Sequence, residues 1–278
     1  LAIAMVWGGP SAPLPEHVDT TMGLGLDWFV LNLLVLAALF VPLERAKPHR
    51  PAQLVFREGW TIDGVHFLVS HLLVQLVSFV ALTPAALLKE SMGANPLRDW
   101  LQSWPLAAQF VLIVIVADFT QYFVHRAFHQ VPWLWNFHAV HHSSPALDWL
   151  AGSRLHLFDA LVTRAIVLTP LVWLGFSQEA LAAYLIFVSF HAVFIHANWG
   201  ARLGWLEPFL VTPRIHHFHH ASEAEAVDKN FAVHLPLFDR LFGTRYAPTG
   251  QWPKGYGIEG CSVPVSYWGQ LLSPFRRR

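Results

Sequence analysis

Five apolar runs set the strongest limit on what this chain folds into: Trp28–Leu43, Ile62–Leu88, Leu106–Val124, Leu161–Phe176 and Ala180–Ile195. A helix that crosses a bilayer needs roughly 20 apolar residues. The first run approaches that length if Asp27 lies at the interface, and the second is long enough to tilt, or to break near Pro84. The composition agrees, with 54% hydrophobic and 13% charged residues, where a soluble domain carries about 25% charged. Such a chain has too little polar surface to face water all round. The expected fold is an all-α polytopic membrane protein with about four to five membrane-embedded helices. Only "GFSQE" separates the last two runs. They therefore form a tight helical hairpin, kinked at Pro170 or partly re-entrant. The opening "LAIAMVWGGPSAP" is too short to span and reads as the remnant of a cleaved or trimmed segment.

Lys and Arg number 18, as do Asp and Glu, so the formal net charge is zero and gives no reason to expect nucleic acid as a partner. The distribution of basic residues is more informative. With the N-terminus outside, Glu44–Trp60, Arg126–Asp159 and everything after His196 lie inside. Only Lys89 and Arg98 then fall in outer loops, which satisfies the positive-inside rule. "PLERAKPHR" at Pro42–Arg50 is expected to anchor the first span among phospholipid headgroups, and the terminal "RRR" to do the same or lie free. The single cysteine, Cys261, allows no internal disulfide and no thiolate metal site, and is expected to be a buried, inert thiol.

Polar chemistry concentrates at one edge of these runs. Of 17 histidines, 13 lie between His125 and His234. His125 and His129 stand four apart, on one helix face, where the third run ends. His138, His141 and His142 repeat that logic, and so do His216, His219 and His220, with His217 inserted. His196 closes the fifth run. A neutral imidazole gives one lone pair to a borderline metal such as iron or zinc. One metal takes about four to six ligands, so eight or nine converging histidines suit two metals rather than one. Two adjacent metals with open positions can share the electrons that activate O2. A single histidine at a membrane edge is ordinarily a hydrogen-bonded interfacial residue. That reading does not account for three clusters of the same spacing at one face.

The segments "HRAFH", "HAVHH" and "HHFHH", the intervening "HAN", the Asp118–Tyr122–His125–Arg126 lead-in and the closing "LPLFDRLFGT" resemble one family. It is the fatty acid hydroxylase/sterol desaturase superfamily of integral-membrane di-iron oxygenases. The resemblance covers about Leu106 to Tyr246, roughly half the chain. It implies that His125, His129, His138, His141, His142, His216, His219 and His220 bind metal, with His196 as a ninth ligand. His217 departs from the family pattern and is a spare or second-shell group. His156, in "SRLHLFD", is expected in the second shell, and His191 joins only if its helix bends.

Asp118 lies within the third run, seven residues before His125 and on the same face. It is expected to accept the free N–H of a ligand imidazole, fixing its tautomer, or else to hydrogen-bond another helix. Gln121 and Tyr122 complete that network or simply pack. Asp63, His66 and His71 read as interhelical hydrogen-bonding groups. Asp239 reads as a local turn or a salt bridge to Arg240 or Arg245, and His234 as structural. Trp133, Trp135, Phe137, Trp149 and Trp199 form either an interfacial belt or a wall between water and the site.

Three regions are expected: 1–103, an N-terminal membrane region with two spans; 104–246, the fatty acid hydroxylase-like catalytic domain; and 247–278, an irregular cytosolic tail. The functional expectation is a di-iron oxygenase that uses O2 and two external electrons to hydroxylate an unactivated C–H of a lipid. A desaturase or ether-lipid monooxygenase is the alternative within the class, and a zinc-dependent membrane hydrolase the alternative outside it. Two iron ions are the expected cofactors, with zinc able to replace them in purified protein. The sequence holds no dinucleotide fingerprint, so a ferredoxin, rubredoxin or cytochrome b5-like donor with its reductase is implied. A helical cap on the cytoplasmic face would carry the site. The membrane would be a bacterial inner membrane, or the endoplasmic reticulum if the source is eukaryotic.

Overall fold

A computed structural model describes residues 26–73, 80–81, 83, 87, 95–258, 260 and 263–276. Cys261, Pro84 and the last two arginines fall outside them. Among the described residues the chain is mostly helical, and its only extended pairings are two isolated bridges, Pro48 with Trp199 and Ala221 with Tyr256. The helices are α1 (Leu26–Ala46), α2 (Trp60–Leu72), α3 (Pro96–Gln102), α4 (Leu106–Gln130), α5 (Pro132–His142), α6 (Leu157–Leu174), α7 (Gln178–His196), α8 (Pro213–His219), α9 (Leu237–Leu241) and α10 (Tyr267–Leu272).

Three of them, α4, α6 and α7, are long and apolar enough to cross a membrane. They coincide with the third, fourth and fifth apolar runs. On α4, Val111, Ile115, Phe119 and Phe123 recur every four residues and are exposed, as a lipid-facing stripe requires. The opposite face buries Ile113, Val114 and Ala117 against Val167 and Leu171 of α6 and Ala180 and Tyr184 of α7. Pro170 sits inside α6 without ending it.

The breaks between helices have local causes. α4 stops at Gln130 because Pro132 follows: Val131 is extended, and Pro132 starts α5 at its first position. The chain turns there, so the histidines of α4 and α5 face one space. α6 ends at Gly175, whose φ of 74° suits a residue without Cβ, and the Ser177 hydroxyl then caps α7 by accepting from the Ala180 N–H.

Below the spans, a buried ionic network ties the loops together. Asp63 accepts from Arg57 at 2.6 Å and from Arg154 at 2.5 Å, and Arg57 also holds Asp148 at 2.7 Å. Glu44, at the end of α1, accepts from the backbone N–H groups of Trp149 and Asn198. Two expectations are corrected here. "PLERAKPHR" grips protein at its end, where Arg50 donates to the carbonyls of Pro253 and Lys254 and His49 stacks on Trp252 at 3.9 Å, while Arg45 and Lys47 stay exposed. The tail is irregular only in part, because α10 docks onto α2, where buried Gln270 meets His66 Nε2 at 2.7 Å. Both corrections have one cause. These polar side chains find partners far away in sequence, and a local reading cannot supply them.

Candidate metal centre

Four helices bring nine imidazoles together. α4 supplies His125 and His129, α5 supplies His138, His141 and His142, and α7 supplies His196. α8 supplies His216 and His219, with His220 at its C-terminal cap. They divide into two groups. His125, His129, His138, His142 and His219 form one; His141, His196, His216 and His220 form the other. Within each group the nitrogen atoms lie within 4.8 Å of one another. The groups adjoin, for the rings of His142 and His220 stack at 4.3 Å.

Hydrogen bonds fix which nitrogen faces inward. His125 Nδ1 lies 2.7 Å from the Phe231 carbonyl, and His138 Nδ1 lies 2.7 Å from the Asp159 carboxylate. His141 Nδ1 meets the Arg154 carbonyl at 3.0 Å and His196 Nδ1 the Ala192 carbonyl at 2.7 Å. His219 Nδ1 meets the Lys229 carbonyl at 2.8 Å. Each of these oxygens only accepts, so each Nδ1 carries the proton and each Nε2 presents a lone pair.

The lone pairs then oppose one another. His125 Nε2 and His138 Nε2 are 3.0 Å apart, and His141 Nε2 and His196 Nε2 are 3.2 Å apart. Two acceptors at that distance repel unless a cation sits between them. Two nitrogens ~2.1 Å from one metal, at right angles, lie ~3.0 Å apart, so the spacing fits shared ligation. Three more nitrogens of the first group, Nε2 of His129, His142 and His219, are buried without a hydrogen-bond partner. Protonation is disfavoured. Burial, and next the neighbouring His138, hold His141 down to about 4. Burial and the surrounding imidazoles put His142, His216, His219 and His220 well below the usual histidine value. Neutral imidazole is the ligand form.

The structure moves other expected residues away from these groups. Among the described residues Asp118 hydrogen-bonds backbone, not an imidazole. Its carboxylate accepts three successive backbone N–H groups, of Val233, His234 and Leu235, at 2.7–2.9 Å. Two helical turns put it ~10.5 Å along the axis from His125, too far for contact. It nonetheless serves the site indirectly, since the segment it holds carries Phe231. The carboxylate that does hold a ring is Asp159, which also accepts from Thr163. His156 is corrected to a structural role: its Nδ1 caps α6 by accepting from the Phe158 N–H, and its Nε2 meets the Leu271 carbonyl. His217 reaches the site only through backbone, with Nε2 at the His196 carbonyl and Nδ1 at the Tyr256 hydroxyl. His191 and His234 pair with each other at 3.1 Å, outside both groups. Asp239 caps a turn, accepting from Phe231 N, Ala232 N and the Thr244 hydroxyl.

The aromatic residues take both of the expected places. Trp135 packs against His129 and His142 as a wall, whereas Trp133 is exposed. Phe231, fully buried against His125, His129 and His219, is a wall residue that no sequence motif marked. Gly152 is a second: a Cβ there would fall 2.9 Å from His196 Nδ1.

Comparison with known proteins agrees with this arrangement. A sequence profile described as "Fatty acid hydroxylase" matches residues 110–244, a stretch holding all nine imidazoles. The chain is 30% identical over 257 residues to ornithine lipid hydroxylase OlsE of Rhizobium tropici, covering 91% of this chain and 77% of that protein. It is 32% identical over 145 residues to the alkylglycerol monooxygenase of Homo sapiens, covering 52% of this chain and 31% of that protein. The Danio rerio alkylglycerol monooxygenase is likewise 32% identical over 145 residues, covering 52% of this chain and 32% of that protein. The chain thus spans about a third of the length of either monooxygenase. No solved structure matches it.

Proposed function

The chain belongs to the fatty acid hydroxylase family, and on that premise we propose that it is an integral-membrane oxygenase that hydroxylates an unactivated C–H of a membrane lipid at a two-iron site. The observation that carries this reading is the opposed, unprotonated Nε2 pair in each histidine group. Two clusters of neutral nitrogen ligands, side by side, suit two adjacent ions. The relatives named a lipid hydroxylase and a monooxygenase support oxygenation of a lipid.

The chain's own residues prepare the site. Asp159 fixes the His138 tautomer, and backbone carbonyls do the same for His125, His141, His196 and His219. Phe231 and Trp135 shield the first group from water. When bound, the two irons would supply O2 activation, in which one oxygen atom enters a C–H bond and the other leaves as water, with two electrons from an external carrier and two protons from solvent. α4, α6 and α7, with α1 and the second apolar run, would supply four to five embedded helices. The loops around the histidines would then form a cytoplasmic cap.

The similarity to alkylglycerol monooxygenases keeps an ether lipid among the candidate substrates. A zinc hydrolase is less well supported, since among the described residues neither group includes a carboxylate free for acid–base work. The test is O2 consumption by iron-loaded protein with a chemical reductant and lipid extract, read by mass spectrometry with labelled O2. Gain of one labelled oxygen in a lipid is expected. Hydrolysed lipid without label would overturn the reading.

A further inference from the structure

A cavity of about 430 Å3 lies among α1, α2, α4, α6 and α7, and Arg164 of α6 is the one Arg, Lys, Asp or Glu on its wall among the described residues. Asn32, Ser70, His71, Gln121 and Ser189 line it too, beside aliphatic side chains. Arg164 is half-buried, seven residues into a span. No acidic side chain among the described residues pairs with it. A guanidinium is always charged, and an unpaired charge in a span is expensive. An anion from outside the protein would offset that cost.

The cavity also abuts the histidine layer. Thr163, on its wall, donates to Asp159, which holds His138. Ala192, on its wall, offers the carbonyl that holds His196. Ser153 adjoins Arg154, whose carbonyl holds His141. Arg164 is five residues beyond Asp159, ~7.5 Å along the helix.

We propose that Arg164 is a specificity-determining residue that binds an anionic group, carboxylate or phosphate, of the lipid substrate. This deepens the oxygenase reading and rests on it for the word substrate. Arg164 offers a planar fork of donors that matches either oxyanion, and the cavity is large enough for the adjoining chain segment. The substrate is thus an anionic lipid whose charged group meets Arg164.

The experiment uses the full chain in phosphatidylcholine nanodiscs and three spin-labelled C16 probes that differ only in a carboxylate, phosphate or hydroxyl head. The immobilised fraction of each, read by electron paramagnetic resonance, reports association. At least one anionic probe should associate about tenfold more strongly than the hydroxyl probe. Whether the carboxylate or the phosphate arm wins identifies the source of the charge. Arg164→Leu should reduce that probe to the hydroxyl level, and Arg164→Lys should restore most of the preference. Should Arg164→Leu fail to fold, Arg164→Gln takes its place. Equal association of all three probes with the unaltered chain, or an anion preference that survives loss of Arg164, overturns the anchor. The latter is the result expected if Arg164 only reaches bilayer phosphate. Metal content on the same samples separates the two readings. Metal absent with the preference intact counts against the two-iron site alone; metal intact without the preference counts against the anchor alone.

Discussion

The two histidine groups are built from the same side chain but backed differently. Behind the five-nitrogen group stand two carboxylates, Asp159 on His138 at 2.7 Å and Asp228 facing His129 at 3.4 Å, beside the carbonyls of Phe231 and Lys229. Behind the four-nitrogen group stand backbone carbonyls, of Arg154 and Ala192, while His216 Nδ1 is buried with no partner. A carboxylate behind an imidazole raises ligand basicity more than a neutral carbonyl does. The first group should therefore hold its ion more firmly and make it more electron-rich. The second depends on packing, in which Gly152 leaves the room His196 occupies. Two ions held unequally are easier to assign distinct tasks than two equivalent ones.

The largest break in this comparison should come from Asp118, which stands behind the first group at one remove. Asp118→Ala strips three N–H groups, one buried and two half-buried, of their acceptor. Charged hydrogen bonds contribute about 1.5–3 kcal/mol each, so thermal unfolding in detergent should show a loss of at least ~3 kcal/mol. Asp159→Asn comes next. Metal titration should show about 10–100-fold weaker binding at one site of two, with the other unchanged. Equal weakening at both would erase the asymmetry. Gly152→Ala tests the second group from the other side. Its Cβ would displace His196, and about tenfold weaker binding is expected at the site that Asp159→Asn leaves alone. The smallest effect belongs to Asp228→Asn. Asp228 is 47% exposed and its φ of 56° suits Asn. Metal affinity should change by less than about threefold; a change matching that of Asp159→Asn would show that distance and exposure do not rank these carboxylates.

Much of the architecture was legible because it repeats. The runs that became α4, α6 and α7 announce themselves by length, and the nine histidines by helical spacing. The division into five and four was not legible. Neighbours in sequence, His141 with His142 and His219 with His220, go to different groups, because adjacent residues on a helix point about 100° apart. The carboxylate behind His138 was not legible for a related reason. Asp118 shares a face with His125, but a face says nothing of axial distance. Asp159 is 21 residues from His138 and meets it only because α6 packs beside α5. Phe231 and Gly152 carry no chemical signature at all; their roles exist only in the packed molecule.

The central claim is that nine imidazoles hold two ions, and metal content per polypeptide tests it most directly. The full chain would be purified gently from iron-supplemented cells, beside His142→Ala from the first group and His220→Ala from the second. The account predicts close to two metal ions in the unaltered chain and close to one in each variant. It also predicts that the ion left in His220→Ala resists chelation longer than the ion left in His142→Ala. A single ion in the unaltered chain, kept by both variants, would contradict it.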